Sequence, residues 1–547
     1  MNNKTDEQQI SDMNKQNDII NNSRDGVLLS GTKSVCPVCL TRLDAYYSAY
    51  EDGVFLEKTC PEHGGFRIRV WDEPLDFLKW KTRVGQEPEL NGDCPNECGL
   101  CNNHIQETCC VLLEVTGRCE LGCPVCFASS GSHDSAQDPD ILQIAGWYDM
   151  LMEKGGPFNI QLSGGEPTMR DDLPEIIRIG KEKGFSFFQL NTNGLRIASD
   201  DGYIEKLASA GLSTVFLQFD GFSEKTDIIL RGRSVIEDKL EAVRRCREAR
   251  IGVVLVPTVV RGVNDTELGA IMNYAAENMP IVRGVHFQPI SLFGRYLLNS
   301  NSGSYTCVES NDDNRTVSGI GSNDDYKAVS GAALSSDARV TIPELLESIE
   351  NQTEGKVLRK DFSPSNAEHP LCGFHADYTV MDGVWKLIKG SNEGCSCGVS
   401  SMQARTAVAR KWKAPDKIVT AEKLTDNEAS LNEGTAINKG ASSNEAMSIG
   451  KGAGSNESMS INKGASSNES TDARKEKTEN EAMSFDEFIA MRQNTTLAVS
   501  GMAFQDAYTM DLNRLRRCYI HIVSQDGRLI PFCSCNLSTN DGKTLYR

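Results

Sequence analysis

The spacing C-x3-C-x2-C occurs twice within 33 residues, as Cys94/Cys98/Cys101 and as Cys119/Cys123/Cys126. Three thiolates on so short a loop hold three irons of a [4Fe–4S] cube and leave the fourth iron to another ligand. If a fourth cysteine supplies it, the cluster passes electrons; if the position stays open, it chelates a small molecule. The 547 residues hold nineteen cysteines, an odd total that leaves at least one thiol outside any complete pairing. In a reducing compartment, cysteines clustered at short fixed spacings point to metal rather than to disulfides.

What surrounds each triplet separates the two. From residue 110 to about 295, short apolar strands alternate with amphipathic helices. Strands are expected at 111–115, 159–162, 185–190, 214–219, 252–256 and 284–287, and helices at 139–154, 172–183, 203–210, 235–249 and 265–278. Six such units predict an α/β fold: a parallel sheet curled into a partial (β/α)6 barrel, with chemistry at the C-terminal strand ends. Cys119, Cys123 and Cys126 follow the first strand, at the barrel mouth, and no further cysteine stands immediately after them. The second strand runs into Ser163-Gly164-Gly165-Glu166-Pro167. Two glycines there allow close backbone approach to a ligand, and Glu166 accepts hydrogen bonds from an ammonium group. No strand precedes Cys94/Cys98/Cys101, and Cys109, Cys110 and His104 stand close by as further potential ligands. That triplet reads as an auxiliary cluster or as a zinc knuckle.

Taken together, in this order and strand setting, Cys119/Cys123/Cys126 and Gly164-Gly165-Glu166-Pro167 resemble the radical S-adenosylmethionine (SAM) enzymes. The resemblance implies one catalytic [4Fe–4S] cluster whose open iron chelates the methionine end of SAM. It implies reductive cleavage of SAM to a 5′-deoxyadenosyl radical, fed by a reductase, flavodoxin or ferredoxin. It further implies that Ser163, Gly164, Gly165 and Glu166 meet SAM, that Asn191 and Asn193 reach its ribose, and that Gln218, Asp220 and Arg231 surround its carboxylate. Gln288 would lie near adenine and substrate. Taken singly, each of these polar residues is explained as well by capping or turn chemistry. A narrower resemblance rests on Cys36-Pro-Val-Cys39, Cys60-Pro-Glu-His63, Cys98-Gly-Leu-Cys101, Cys123-Pro-Val-Cys126 and Ile530-Pro-Phe-Cys533. These are similar to the archaeal tetraether lipid synthase and to the bacterial radical SAM (seleno)proteins called TrsS. The first likeness implies extra [4Fe–4S] clusters, a rubredoxin-like site and radical coupling of lipid chains; the second names no substrate.

Metal-binding modules are expected at both ends of the chain. Cys36, Cys39 and Cys60 read as ligands of one mononuclear iron or zinc on a β-hairpin, with His63 as fourth ligand or as a turn residue. Near the other end, Cys518, Cys533 and Cys535, with Cys372, Cys395 or Cys397, are expected to build a further auxiliary cluster, making one or two in all. A long intervening linker does not forbid this, because loop-closure entropy grows slowly with length. Cys246, inside a helix, is expected to be a packing residue, and Cys307 to be incidental.

The expected organisation is a disordered tail at 1–30, a rubredoxin- or zinc-ribbon-like module at 31–90 and an auxiliary iron–sulfur segment at 91–110. The barrel follows at 111–296, then a disordered insertion at 297–338, a cysteine-bearing continuation at 339–413, a repetitive linker at 414–483 and an iron–sulfur-associated segment at 484–547. The linker repeats Asn-Glu-Ala-Met-Ser-like phrases with almost no aromatic or β-branched content, too little to build a packed solenoid. A formal charge of -19 without a basic stripe argues against a nucleic-acid partner. No run of about 18 apolar residues predicts a transmembrane helix, and the polar N-terminus lacks the apolar core of a signal, so a cytoplasmic protein is expected. Two rivals to the enzyme reading are a multi-cluster electron carrier, which leaves Gly164–Pro167 idle, and a zinc-rich scaffold. The substrate is unidentified; lipid-chain or other C–H functionalisation stays open.

Overall fold

The computed structural model describes residues 26–81, 92, 94–131, 138–296, 338–364, 368–388, 401–416, 418 and 484–547. The tail at 1–25, nearly all of both insertions, and Cys307, Cys395 and Cys397 lie outside the described residues. Chain contacts divide the protein into two units. One runs to Pro415 and resumes at Thr495; the other, Asp416–Asn494, contributes most of one described helix, Phe485–Thr495.

At the N-terminal end, β1 (Val27–Val35), β2 (Arg42–Tyr50), β3 (Gly53–Cys60) and β4 (Gly64–Trp71) form an antiparallel meander. The first strand begins inside the stretch expected to be tail, because Val27 to Val35 pairs along β2 almost to its end. Leu43, Ala45, Tyr47 and Ala49 alternate inward along β2, as a sheet with one solvated face requires.

All six expected barrel strands are present and parallel: β5 (Cys110–Thr116), β6 (Asn159–Gly164), β7 (Phe188–Thr192), β8 (Thr214–Gln218), β9 (Gly252–Val256) and β11 (Val282–Pro289). A two-residue strand, β10 (Thr258–Val259), pairs with the end of β11. Val253, Val254 and Leu255 are all fully buried, the continuous apolar run of a parallel strand covered on both faces. Helices Ile141–Glu153, Leu173–Glu182, Tyr203–Ala210, Ile236–Glu248 and Leu268–Glu277 cover the sheet where expected, and two unexpected ones, Leu195–Ser199 and Glu224–Arg231, lie between them. Cys246 packs in the core beneath its helix.

The sheet does not stop at six parallel strands. The segment after the linker supplies β14 (Thr496–Met502), parallel to β11, and β15 (Ile520–Val523), parallel to β5. Eight parallel strands therefore run β15-β5-β6-β7-β8-β9-β11-β14, edged antiparallel by β12 (Gly373–Met381) with β13 (Val384–Leu387), and by β16 (Leu529–Pro531). What was expected to be a terminal module is built into both ends of the barrel sheet. Trp412, ending the helix Ser401–Trp412, packs on Phe187, Val254 and Ala498 and edge-on to Phe216 at 5.7 Å, filling the barrel interior below the site. Among the described residues no helix is long and apolar enough to cross a membrane.

Candidate active site and metal centres

After β5 the chain passes through Cys119, Cys123 and Cys126 before its next helix. All three cysteines line one cavity of about 260 Å³ at the C-terminal ends of the strands. Ser163, Gly164, Gly165, Glu166, Asn191, Asn193, Gln218, Arg231 and Gln288 line it too; Asp220 stands behind the wall. The three sulfurs are too dispersed for a single ion: among the described residues, only Cys36, Cys39, Cys60 and His63 form a group of three or more such donors all within 4.8 Å of one another. A donor set spread over a wider face fits an open cube. Burial pushes the Cys119 thiol up to about 12, and raises Cys123 against the pull of the neighbouring Arg231 charge.

The two glycines meet backbone before they meet any ligand. Gly164 has φ +123°, and a Cβ on it would stand 2.2 Å from the Thr116 carbonyl oxygen; one on Gly165 would stand 2.2 Å from that of Arg118. The Gly165 N–H donates to the Thr116 carbonyl at 2.7 Å and the Glu166 N–H to the Arg118 carbonyl at 2.8 Å. Side-chain-free positions thus let β6 dock on the root of the cluster loop. A Gly165→Ala variant should lose several degrees in Tm and bind SAM at least about tenfold more weakly, since the loop must shift (a tenfold loss is about 1.4 kcal/mol). Gly146→Ala, in a helix where an added Cβ meets nothing, is the control and should hold or raise Tm. Differential scanning calorimetry and anaerobic SAM titration check both.

Glu166, expected to accept from an ammonium group, lines the cavity and is held by protein donors. The side chain is 2% exposed and accepts from the Thr168 N–H (3.0 Å), the Thr168 and Thr192 hydroxyls (2.6 Å each) and the Asn193 N–H (2.7 Å). Four protein donors meet a carboxylate with about four acceptor sites, tying the end of β6 to the end of β7. Burial raises its pKa, and the Thr168 and Thr192 hydroxyls and the Asn193 N–H work against that rise. Asn193 in turn donates to Glu120 at 3.1 Å, while Gln189 donates to Asn191 at 2.7 Å across the cavity floor.

Arg231, expected at the SAM carboxylate, is engaged elsewhere. Its Nε and Nη2 donate to the Asp220 carboxylate at 2.6 and 2.7 Å, Nη2 also to Thr258 Oγ1 at 3.0 Å, and Nη1 to the Val125 carbonyl at 3.1 Å. With its amide turned so that oxygen meets the guanidinium, Gln218 accepts from the same Nη1 at 2.6 Å. Burial opposes the guanidinium charge, and Asp220 more than offsets it. Lys239 escaped the sequence reading. Fully buried, it donates to the Asn193 carbonyl, and burial pushes it down to about 8. The signal was available: Lys239 shares an i, i+3, i+4, i+7 stripe with Ala242, Val243 and Cys246, a cation on the buried face of its helix.

The opposite wall of the cavity is apolar. Leu112, Phe127, Phe293, Met502, Phe504, Ile520 and Phe532 line it, with Phe504 and Phe532 centroids 4.4 Å apart and Phe127 5.7 Å from Phe532. His286 Nδ1 lies 3.0 Å from Ser500 Oγ on β14, and burial pushes its imidazole down to about 4, hence neutral.

The N-terminal knuckles close on one point. Cys39 and Cys60 sulfurs are 4.0 Å apart, and His63 Nδ1 is 3.7 Å from Cys36 Sγ and 3.4 Å from Cys60 Sγ. A tetrahedral zinc with Zn–S about 2.3 Å and Zn–N about 2.0 Å has edges of roughly 3.8 and 3.5 Å, so His63 stands where a fourth ligand belongs. Cys94, Cys98 and Cys101 line a separate small cavity with His104 and Arg516; Ser534 Oγ donates to Cys98 Sγ at 3.3 Å. Of the further potential ligands there, His104 lines that cavity while its Nε2 lies 2.7 Å from the Cys518 carbonyl, and Cys109 and Cys110 pack on Ala404. In the C-terminal zone, Cys372, Cys518 and Cys533 line one cavity with Arg514, while Cys535 points away beside Arg547. Of the expected set, Cys518, Cys533 and Cys372 thus share that cavity, because Cys533 and Cys535 face different sides of one short helical turn.

Residues 113–275 match the family described as Radical SAM superfamily, and residues 28–72 the HMPTM N-terminal zinc ribbon domain. Over 518 residues the chain is 32% identical to the 7,8-dihydro-6-hydroxymethylpterin dimethyltransferase of Methanocaldococcus jannaschii, covering 92% of this chain and 93% of that one. Over 149 residues it is 34% identical to the Fe-coproporphyrin III synthase of Methanosarcina barkeri, covering 27% of this chain and 36% of the relative. A solved structure of anSMEcpe with bound AdoMet and a peptide aligns with a TM-score of 0.29 at 17% identity, over 36% of this chain and 54% of that one. None of these findings supports the narrower likeness to tetraether synthase or TrsS; the relative that spans the chain is named for methyl transfer to a pterin.

Proposed function

Because the chain belongs to the radical SAM superfamily, we propose that Cys119, Cys123 and Cys126 hold its [4Fe–4S] cluster and that it functionalises a C–H bond on a substrate with an apolar body. The observation that carries this reading is a single cavity with three cysteines and polar strand ends on one side and a phenylalanine-rich wall on the other. When bound and reduced, the cluster supplies the electron that divides SAM into methionine and the 5′-deoxyadenosyl radical. The chain's own part is to fix geometry and keep water out. Gln189 and Asn191 present amides to the ribose side and face a wall of Met502, Phe504, Ile520 and Phe532, side chains that offer a radical no polar partner. A one-electron donor, whether a reductase, a flavodoxin or a ferredoxin, completes the system.

A second reading is methyl transfer to a reduced pterin, favoured by the relative that spans 93% of its own length in the match. Anaerobic incubation of the iron-replete enzyme with SAM and a strong reductant should release 5′-deoxyadenosine. With perdeuterated acyl chains or deuterated pterin added in turn, deuterium should enter that product from the acyl substrate. Transfer from the pterin alone would select the second reading, and absence of 5′-deoxyadenosine would sink both.

Two auxiliary clusters fit the remaining cysteines, one on Cys94, Cys98 and Cys101 and one on Cys372, Cys518 and Cys533. What supports the second as an electron acceptor is its place: Met502, Phe504, Ile520 and Phe532 line both its cavity and the catalytic one.

A further inference from the structure

Buried beside the cluster loop is an ion pair that SAM binding leaves unexplained. Asp220 and Arg231 are 3% and 4% exposed. Their two hydrogen bonds are joined by a third to Asp220, from the Thr258 N–H at 2.9 Å. On its other flank the guanidinium donates to the Val125 carbonyl in the cluster loop, and it lines the same cavity as Cys123, whose thiol its charge pulls down. So one positive charge stands beside the most buried of the three cysteines, while its countercharge does not line the cavity. A protein that wanted only a brace could use a neutral pair at lower desolvation penalty.

We propose that Arg231, aimed by Asp220, is a positioning residue that makes the cluster on Cys119/Cys123/Cys126 easier to reduce by holding its positive charge beside the cluster loop. Reduction adds negative charge to the cluster and its thiolates. A fixed cation beside the cluster loop favours that state, and the polar groups around a cluster are among the levers that set iron–sulfur potentials. Asp220 sets how much of the charge is felt, because its carboxylate partly cancels it. The two residues should therefore act with opposite signs, which a purely structural pair would not do.

The inference rests on Cys119/Cys123/Cys126 holding the cluster, and iron content of C123A against wild type tests that first: unchanged iron there fails the site reading, whatever the potentials show. Potentials are then read by anaerobic redox titration with electron paramagnetic resonance, without SAM. R231Q should need at least tenfold more reducing poise for half reduction, which is 59 mV for one electron. D220N should shift the same way in magnitude but opposite in sign, and R231K should recover part of the R231Q loss. Shifts of the same sign, or none in either variant, overturn the proposal. Should R231Q fail to keep its cluster, D220N decides alone: a raised potential supports the proposal, and an unchanged or lowered one overturns it. Loss of the cluster from D220N, which keeps Arg231 and all three cysteines, also overturns it, as does an R231Q protein with wild-type potential and at least tenfold weaker SAM binding.

Discussion

A Glu166→Ala variant should lose both SAM binding and a large part of the fold's stability. Four donors from three residues converge on this buried carboxylate. Removing the acceptor strands them, at about 1–3 kcal/mol for each buried group left unpaired. Even if water entering the space left behind satisfies half of them, the expected loss is several kcal/mol out of the roughly 5–15 that hold a domain together. The damage is local to the ends of β6 and β7, where Gly164, Gly165, Asn191 and Asn193 line the cavity, so the ligand site should go before the barrel does. Glu166→Gln keeps the shape and one oxygen but turns an NH2 group toward donors, and should fall between alanine and wild type. Urea denaturation and anaerobic calorimetric titration with SAM measure the two effects. An alanine variant with wild-type stability and only weakened SAM binding would mean that the carboxylate touches the ligand instead of bracing the loop.

That contrast shows how far the sequence could be read. Parallel strands and their helices were legible because apolar runs such as 252–256 and the stripe Ala242, Val243, Cys246 have the periods of a covered sheet and its helices. The cluster loop was legible because three cysteines follow one of those strands. Partnership was not. Nothing near Gly164 and Gly165 in sequence announces that Thr116 and Arg118 press on them, so glycine was credited to a ligand. Asp220 and Arg231 are eleven residues apart and looked like two ligand contacts, yet a helix brings them into one ion pair. The run Thr496–Met502 is a plain apolar strand, but its partner β11 lies some two hundred residues earlier, across both insertions, and strand pairing at that range leaves no local trace. Cys372 belongs with Cys518 and Cys533 for the same reason: β12 carries it alongside β14, and no spacing rule spans that distance.

Iron counting on single cysteine variants should sort the nineteen thiols into roles. Wild type reconstituted under anaerobic conditions should carry roughly twelve irons if three cubes are present, with one zinc or iron on Cys36, Cys39, Cys60 and His63 besides. Cys123→Ala should lose about four irons and all 5′-deoxyadenosine formation, because the remaining two thiolates cannot hold a cube that also presents an open iron. Cys518→Ala and Cys372→Ala should each lose about four irons too, yet still cleave SAM, since their cavity lies beyond the wall of Met502, Phe504, Ile520 and Phe532. What they should lose is completed product, if the cluster there takes the electron that a substrate radical must shed. Cys535→Ala is the discriminating control. It sits two residues from Cys533 on the same turn but beside Arg547 and Glu114, so its iron content and its SAM cleavage should match wild type. Loss of four irons from Cys535→Ala with none from Cys372→Ala would restore the grouping that spacing alone favoured, and would show that the short helix Phe532–Cys535 turns when metal arrives. Loss from neither, with Cys518→Ala also unchanged, would leave the C-terminal thiols as packing residues and the catalytic cavity without an acceptor behind its apolar wall.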